Sequence, residues 1–273
     1  MKEITVEEVC EETVQDLAWL CVPKGREEDP AFQKGVATKI AWAEEKLHRG
    51  EPFAKIAYLG EEPAGLLQYQ IHPEPNLVQI LCVFVPERRH WGQGVGTSLL
   101  SSLVEEMRRP QPWNRGRLPQ ALVVHTFPGE IEGQLSAQAF FRRRGFQQIG
   151  EDPDLLALPL ISAPRFPPSF RVETFSPPPP YRPQPEDAGS VVILYGPSFC
   201  PWTFVFYAKA ERLLREALPG VSIRWADGLA HPQELEKRGG FTGVVVNARA
   251  IAHSVFEEEA FIAEVKEAWK EGG

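Results

Sequence analysis

A chain of 273 residues with 43% hydrophobic and 24% charged side chains holds one large domain or two ordinary ones, and its composition excludes a disordered or fibrous protein. The net charge of −8 divides as −6 over residues 1–163 and −2 over 190–273, so neither half has the basic excess of a nucleic-acid binder. No apolar run reaches the length of a bilayer span, and the acidic start MKEITVEEVCEE lacks the basic region of a signal peptide, so no membrane role and a cytoplasmic address are expected.

In chain order, ITVEEV (4–9) reads as a strand, and CEETVQDLAWL (10–20) and FQKGVATKIAWAEEKLHRG (32–50) as helices, the second ending on Gly50. FAKIAYL (53–59) and AGLLQYQI (64–71) form a hairpin across the turn GEEP. A strand at 77–85 is followed by a helix whose Val95, Leu99, Leu100, Leu103, Val104 and Met107 share one face. The strand ALVVHTF (121–127), the helix LSAQAFFRRR (135–144) and a final hairpin toward LLALPL complete a mixed α/β sheet with flanking helices. The proline-rich segment 162–190 reads as a semi-rigid connector. After it come strand SVVILYG, helix 202–218, strand VSIRW, helix PQELEKRG, strands GVVVN and AIAHSV, and helix 257–270, a βαβαββα order. This divides the chain into domains 1–162 and 190–273 joined by a connector, 163–189.

The four cysteines show neither a C-x-x-C pair nor zinc spacing, and no metal is expected. Cys10, Cys21 and Cys82 lie in apolar patterns and read as buried thiols. Between strand 77–85 and its helix stands HWGQGVGTSLL, with glycines at 92, 94 and 96. Such a turn points unpaired N–H groups and the positive end of a helix dipole at an incoming anion. A dinucleotide fingerprint would need an acidic residue about twenty positions on; that region is QPWNRGRLPQ, and the Lys-Ser/Thr pair of a P-loop is also missing. A tight turn without a ligand remains the other reading of these residues.

VFVPERRHWGQGVGTSLL resembles the motif of the GNAT (GCN5-related) N-acetyltransferases in which a strand, an R/Q-x-x-G-x-G/A loop and a helix bind the pyrophosphate of acetyl-CoA. Two frames fit, Arg89-x-x-Gly92-x-Gly94 and Trp91-x-x-Gly94-x-Gly96, with Gln93, Val95 and Thr97 contributing backbone amides in either. QLSAQAFFRRRGF (134–146) resembles the family's N-x-x-A-x-x-F-Y-x-K-x-G-F segment beside the pantetheine arm, matching at Ala137, Phe140, Gly145 and Phe146. It departs at Phe141, where many members carry a tyrosine that protonates the leaving thiolate. The resemblance covers about residues 3–160. It implies a GNAT fold with acetyl-CoA as co-substrate, a small-molecule or peptide amine as acceptor, and the acetyl group near Val83 and Val85, where that strand splays from its neighbour. His125, Glu130 and Glu132 then fall at or beyond the end of that neighbour. His125 reads either as a core histidine or as the proton acceptor of the attacking amine; Glu130 and Glu132 read as surface charges or as a carboxylate for a cationic amine.

YGPSFCPWTFVFYAKAERLL (195–214) sets Cys200 at a helix start after a buried strand, and resembles the thioredoxin and glutaredoxin turn in its C-x-x-T form. VVVNARAI resembles the glutaredoxin strand and turn, whereas Thr242 stands at the place of the usual cis-proline. The resemblance implies a thioredoxin-like second domain in which Cys200 is a reactive thiol or a retained one without a task. The fusion as a whole resembles the YoaP-like GNAT proteins. The expected activity is N-acetyl transfer; the alternatives are an acyl-CoA sensor without turnover and a thiol-dependent protein centred on Cys200. The oligomeric state is not readable from the sequence.

Overall fold

The computed structural model describes residues 3–126, 133, 135–166, 180–196 and 198–270. The chain folds as two compact units, Met1–Cys21 with Glu44–Ser176, and Val22–Ala43 with Pro177–Gly273.

The first unit is built on a seven-stranded sheet in the order β1-β2-β3-β4-β5-β7-β6. Its strands are β1 (Ile4–Glu8), β2 (Ala54–Leu59), β3 (Glu62–His72), β4 (Leu77–Phe84), β5 (Ala121–His125), β6 (Gln147–Gln148) and β7 (Leu155–Pro159). β1 to β4 pair antiparallel, and β4 and β5 pair parallel. The parallel step needs a crossover, supplied by α3 (Val95–Met107). β7 enters between β5 and β6, antiparallel to both. The first helix is shorter than its pattern suggested: a 3-10 turn, Glu11–Thr13, precedes α1 (Val14–Trp19). The apolar face of α3 closes the core, with Val95, Leu99, Leu100, Leu103 and Met107 buried against Leu67, Tyr69, Ile80 and Val124, and Val104 at its margin. α4 (Ala137–Arg142) packs on β7 and is capped by Ser136, whose hydroxyl accepts the Ala139 N–H at 3.2 Å.

The second unit has a four-stranded sheet in the order β11-β10-β8-β9, from β8 (Val191–Tyr195), β9 (Ile223–Asp227), β10 (Gly243–Val246) and β11 (Arg249–Ala250). β8 and β9 are parallel, β10 antiparallel to both β8 and β11. VVILY is apolar throughout because both faces of β8 are covered. Val191 and Ile193 meet α5 (Trp202–Ala217) and α7 (Glu258–Lys270), while Val192 and Leu194 meet Phe241 and Tyr181. α6 (Pro232–Glu236) lies against β9. The strand expected over 250–255 shrinks to the two residues of β11, because the Glu264 carboxylate accepts the N–H groups of Ala252 and His253 and so turns the chain away from the ladder.

The division by contact departs from a linear cut at the proline-rich segment. α2 (Pro30–His48) crosses it, and residues up to Ala43 count with the second unit. Phe32, Gly35, Val36, Lys39 and Ala43 form one buried stripe at helical spacing. Phe32 stands edge-on to Trp202 with centroids 5.0 Å apart, and the Lys34 ammonium lies 3.9 Å over the Tyr195 ring and 5.0 Å from that of Trp225. Gly35 meets the Pro201 backbone so closely that a Cβ would sit 2.3 Å from its carbonyl oxygen. The end of the connector is also part of this unit: buried Asp187 receives Arg238 Nε and Nη2, each at 2.6 Å, and the Tyr181 hydroxyl at 2.7 Å.

Candidate functional site

The site residues of the first unit gather where two irregularities of β4 coincide. Pairing with β5 runs from Leu77–Ala121 to Ile80–Val124 and stops there. Pairing with β3 continues to Leu66–Phe84, but only after a bulge in which Leu81 is the extra residue. From Leu81 on, β4 therefore pairs with β3 alone among the described residues. The sheet opens into a seam next to Val83, and His125, paired with Leu155 of β7, stands at the end of β5 one step beyond the last residue paired with β4.

The glycine turn lies beyond the same end of β4. Gly92 and Gly94 have φ of +73° and +93°, left-handed values that disfavour a Cβ, and Gly94 is the N-cap of α3. Gly96 is ordinary helix, and a Cβ there would make only van der Waals contact with the Phe140 ring. Since Gly94 has no side chain to cap the helix, its first internal bond is from Ser98 N–H to the Gly94 carbonyl, and the N–H groups of Val95, Gly96 and Thr97 point out of the first turn. A Cβ at Gly92 would meet nothing within 4 Å. This is an open cradle of N–H donors at a positive helix end, and it fits a pyrophosphate.

The side chains of the turn take different parts. Arg89 is occupied by carboxylates, hydrogen-bonded to Glu62 and 3.8 Å from Glu87. Trp91 donates its indole N–H to the Val85 carbonyl at 2.9 Å, which ties the loop back to the end of β4. The Gln93 amide bonds the Arg89 carbonyl. The cation that does reach the first turn of α3 is Arg144, which bonds the Thr97 hydroxyl and the Phe140 carbonyl and lies 3.8 Å over the Phe140 ring. Burial, together with neighbouring Arg143, holds its pKa below the usual guanidinium value. Arg144 is the last residue of the basic run RRR, 142–144.

Of the two phenylalanines of α4, only Phe140 faces the turn. Phe141 is 5% exposed and sits in the core between the rings of Phe140 and Phe146, each centroid 5.1 Å away. The position that resembles the family's tyrosine is thus held here by a packed phenyl ring. Ala137 opens the same helix, partly exposed. Gly65 of β3 was not singled out in the sequence, yet its missing Cβ admits Val95: a Cβ would stand 2.8 Å from Val95 Cγ1 and 3.1 Å from the Phe84 carbonyl.

His125 is half-buried, and its Nε2 lies 2.9 Å from Asp152 Oδ2. Glu130 and Glu132 fall outside the described residues. In the second unit, the Cys200 N–H donates to Ser198 Oγ at 3.2 Å, its carbonyl accepts the Thr203 N–H at 3.1 Å, and the Ser198 and Thr203 hydroxyls bond at 2.9 Å. Cys10, expected to be buried, is exposed, because it stands outside the first helical turn and shares a sulfur–hydroxyl contact with Thr13. Cys21 is buried and Cys82 and Cys200 are half-buried.

Residues 12–146 match the model of the acetyltransferase (GNAT) family. The chain carries a GNAT acetyltransferase domain. Among solved structures, a GNAT acetyltransferase from Brucella melitensis in complex with acetyl-CoA is 14% identical, covering 61% of this chain and 93% of its own, with a TM-score of 0.39. A GNAT-family acetyltransferase from Desulfovibrio desulfuricans is 15% identical over 58% of this chain and all of its own, at 0.42. The PaiA N-acetyltransferase from Thermoplasma acidophilum in complex with coenzyme A is 11% identical over 57% and 96%, at 0.41. No curated protein matches the chain. No helix among the described residues is long and apolar enough to cross a membrane.

Proposed function

We propose that the GNAT domain moves the acetyl group of acetyl-CoA to an amine of a small molecule or peptide by direct attack of the neutral amine on the thioester. The observation that carries this is the meeting of an uncapped α3 first turn with the β4–β5 seam on one sheet. N–H groups of Val95, Gly96 and Thr97 hold the pyrophosphate, with Arg144 beside them. The backbone of β4 beyond Ile80 takes the pantetheine amides, and an N–H of residues 81–85 polarises the thioester carbonyl. The C–N bond forms as the C–S bond breaks. His125 receives the ammonium proton, and the departing thiolate takes one from water, since Phe141 carries no hydroxyl. Glu130 is kept as a carboxylate for the acceptor.

The second unit we read as thioredoxin-like, and the whole as a YoaP-like fusion with domains near 1–162 and 190–273. The sheet order, with its parallel β8–β9 pair and antiparallel β10 and β11, and the position of Cys200 just before α5 support that reading. Thr203 stands where a second thiol would, so the turn holds a single sulfur and Cys200 acts, if covalently, through a mixed disulfide or a thioester. The absence of a disulfide among the four cysteines supports a cytoplasmic address.

The test is thermal. Acetyl-CoA at one hundred times Kd stabilises the native state by about 2.7 kcal/mol, which raises Tm. Gly94→Glu puts a carboxylate in the cradle and abolishes the rise; an undiminished rise, in a variant that melts cooperatively without ligand, refutes the site.

A further inference from the structure

Of the three arginines at 142–144, Arg142 and Arg143 are exposed, whereas Arg144 is half-buried and reaches from just past α4 to the first turn of α3. Three contacts fix its guanidinium there. Nη1 donates to the Phe140 carbonyl at 2.7 Å, Nη2 donates to the Thr97 hydroxyl, and the group lies 3.8 Å over the Phe140 ring. The same ring borders the turn itself, since a Cβ at Gly96 would meet its edge at 3.5 Å. The turn, the ring and the guanidinium are therefore neighbours, one against the next.

This arrangement gathers positive charge without a counter-charge. Among the described residues no carboxylate pairs with Arg144; burial and the like charge of Arg143 act on it, and its Nε is buried without an acceptor. Each Nη keeps a second N–H with no protein acceptor among those residues. Beside it stands the positive end of α3, where the N–H groups of Val95, Gly96 and Thr97 are equally open. Arg89, by contrast, is already neutralised by Glu62 and Glu87, and Arg88 lies 5.4 Å from the Trp91 ring. Withdrawing a guanidinium from water without an anion is unfavourable, and a ligand that brings the anion relieves it.

We propose that Arg144 determines which acyl donor the domain accepts: it pairs with the diphosphate seated on the α3 turn, so that the site takes thioesters of coenzyme A and passes over the same pantetheine arm without phosphate. The proposal rests on reading that turn as the pyrophosphate site. A bare helix end offers N–H groups and a partial charge, whereas a guanidinium adds a full charge and paired donors that match phosphate oxygens. The fork is also ordered in advance, because Thr97 and Phe140 hold it before any ligand arrives, so little side-chain freedom is lost on binding. Selection for phosphate thereby falls to a residue beyond α4, in place of the arginine of the turn.

The experiment is titration of the full-length protein, wild type and Arg144→Met, with coenzyme A, dephospho-coenzyme A and pantetheine. Dephospho-coenzyme A keeps the diphosphate and lacks the 3′-phosphate; pantetheine lacks both. Methionine keeps an unbranched stem for the Phe140 ring and removes the charge. The expected result is a Kd raised about 10- to 100-fold for both nucleotides, the scale of a lost charge-assisted hydrogen bond, with pantetheine binding equally weakly to both forms. The variant's affinity for coenzyme A also falls less steeply with sodium chloride, since one screened charge is gone. Arg144→Lys, which keeps the charge but not the paired donors, is expected to lie between the two forms. Equal weakening of all three ligands, or a salt dependence like the wild type's in Arg144→Met, overturns the proposal and leaves Arg144 as a tie between α4 and α3. Loss confined to coenzyme A, with dephospho-coenzyme A unaffected, overturns it too, because Arg144 then reads the 3′-phosphate. Nucleotide affinity equal to the wild type's in Arg144→Lys and in any folded Arg144→Met also overturns it. Absence of coenzyme A binding in the wild type is a different failure, that of the acetyl-CoA site itself.

Discussion

Phe141 shows how packing fixes the part of one residue. The position invites restoration of the family's tyrosine, but the ring lies in the core against Phe140 and Phe146. Phe141→Tyr buries a hydroxyl without a partner, so we expect a loss of about 1–3 kcal/mol, read as a lower Tm, and no gain in turnover. A second residue-scale case is the Arg238–Asp187 pair, in which both side chains are fully buried. Burial alone would push the Asp187 carboxyl up, but hydrogen bonds from Arg238 and Tyr181 more than offset it and hold the group below the usual aspartate range. Its stabilising effect is therefore present above the unfolded aspartate pKa of about 3.9 and fades as pH falls through the lower folded value. Arg238→Ala leaves Asp187 buried without its main partner and should cost about 3–5 kcal/mol, visible as a drop in Tm at pH 7 that shrinks in acid as Asp187 protonates.

At the scale of elements, the strand–turn–helix around Gly94 was legible because its rules are short-range: β-branched run, left-handed glycines, then a 3.6-residue apolar period. The seam was not legible from spacing, since it depends on where β5 stops against β4, and it entered the sequence reading only through the family resemblance. Gly65 went unnoticed although a glycine inside a strand signals a close approach. It is the floor on which α3 begins. Gly65→Ala should push Val95 off β3, lowering Tm by the equivalent of about 1–3 kcal/mol and weakening acetyl-CoA binding together with it. A thermal titration of that variant with unchanged Tm and ligand shift would remove Gly65 from this role. The Asp152–His125 pair escaped notice for a similar reason, since 27 residues separate partners that only the β5–β7 register brings together.

For the whole molecule, membership of the compact units is discontinuous along the chain, since residues 22–43 count with the second unit. The signal was present in α2: Gly35 sits mid-helix on the buried stripe, where a glycine usually has a packing reason. Its partner, Pro201, lies far along the chain, and no local pattern could name it. Gly35→Val should strip the helix from the Cys200–Pro201 turn. Hydrogen exchange would then rise in residues 31–43 and in the start of α5, while the amides of β3 and β4 keep their protection. Equal exchange in both forms would show that the close approach is dispensable.

That discontinuous membership has a consequence for how the protein is made. Residues 30–43 leave the ribosome roughly 150 residues ahead of β8 and α5, which at typical synthesis rates is a wait of about 7–30 s. During that time Phe32, Val36 and Trp42 have no second unit to cover them, and the nascent GNAT domain carries an uncovered apolar ridge. Ribosome-bound chains ending before residue 190 should therefore be the chaperone-dependent species, and translation that stalls in the proline-rich stretch would prolong the most aggregation-prone moment in the life of the chain.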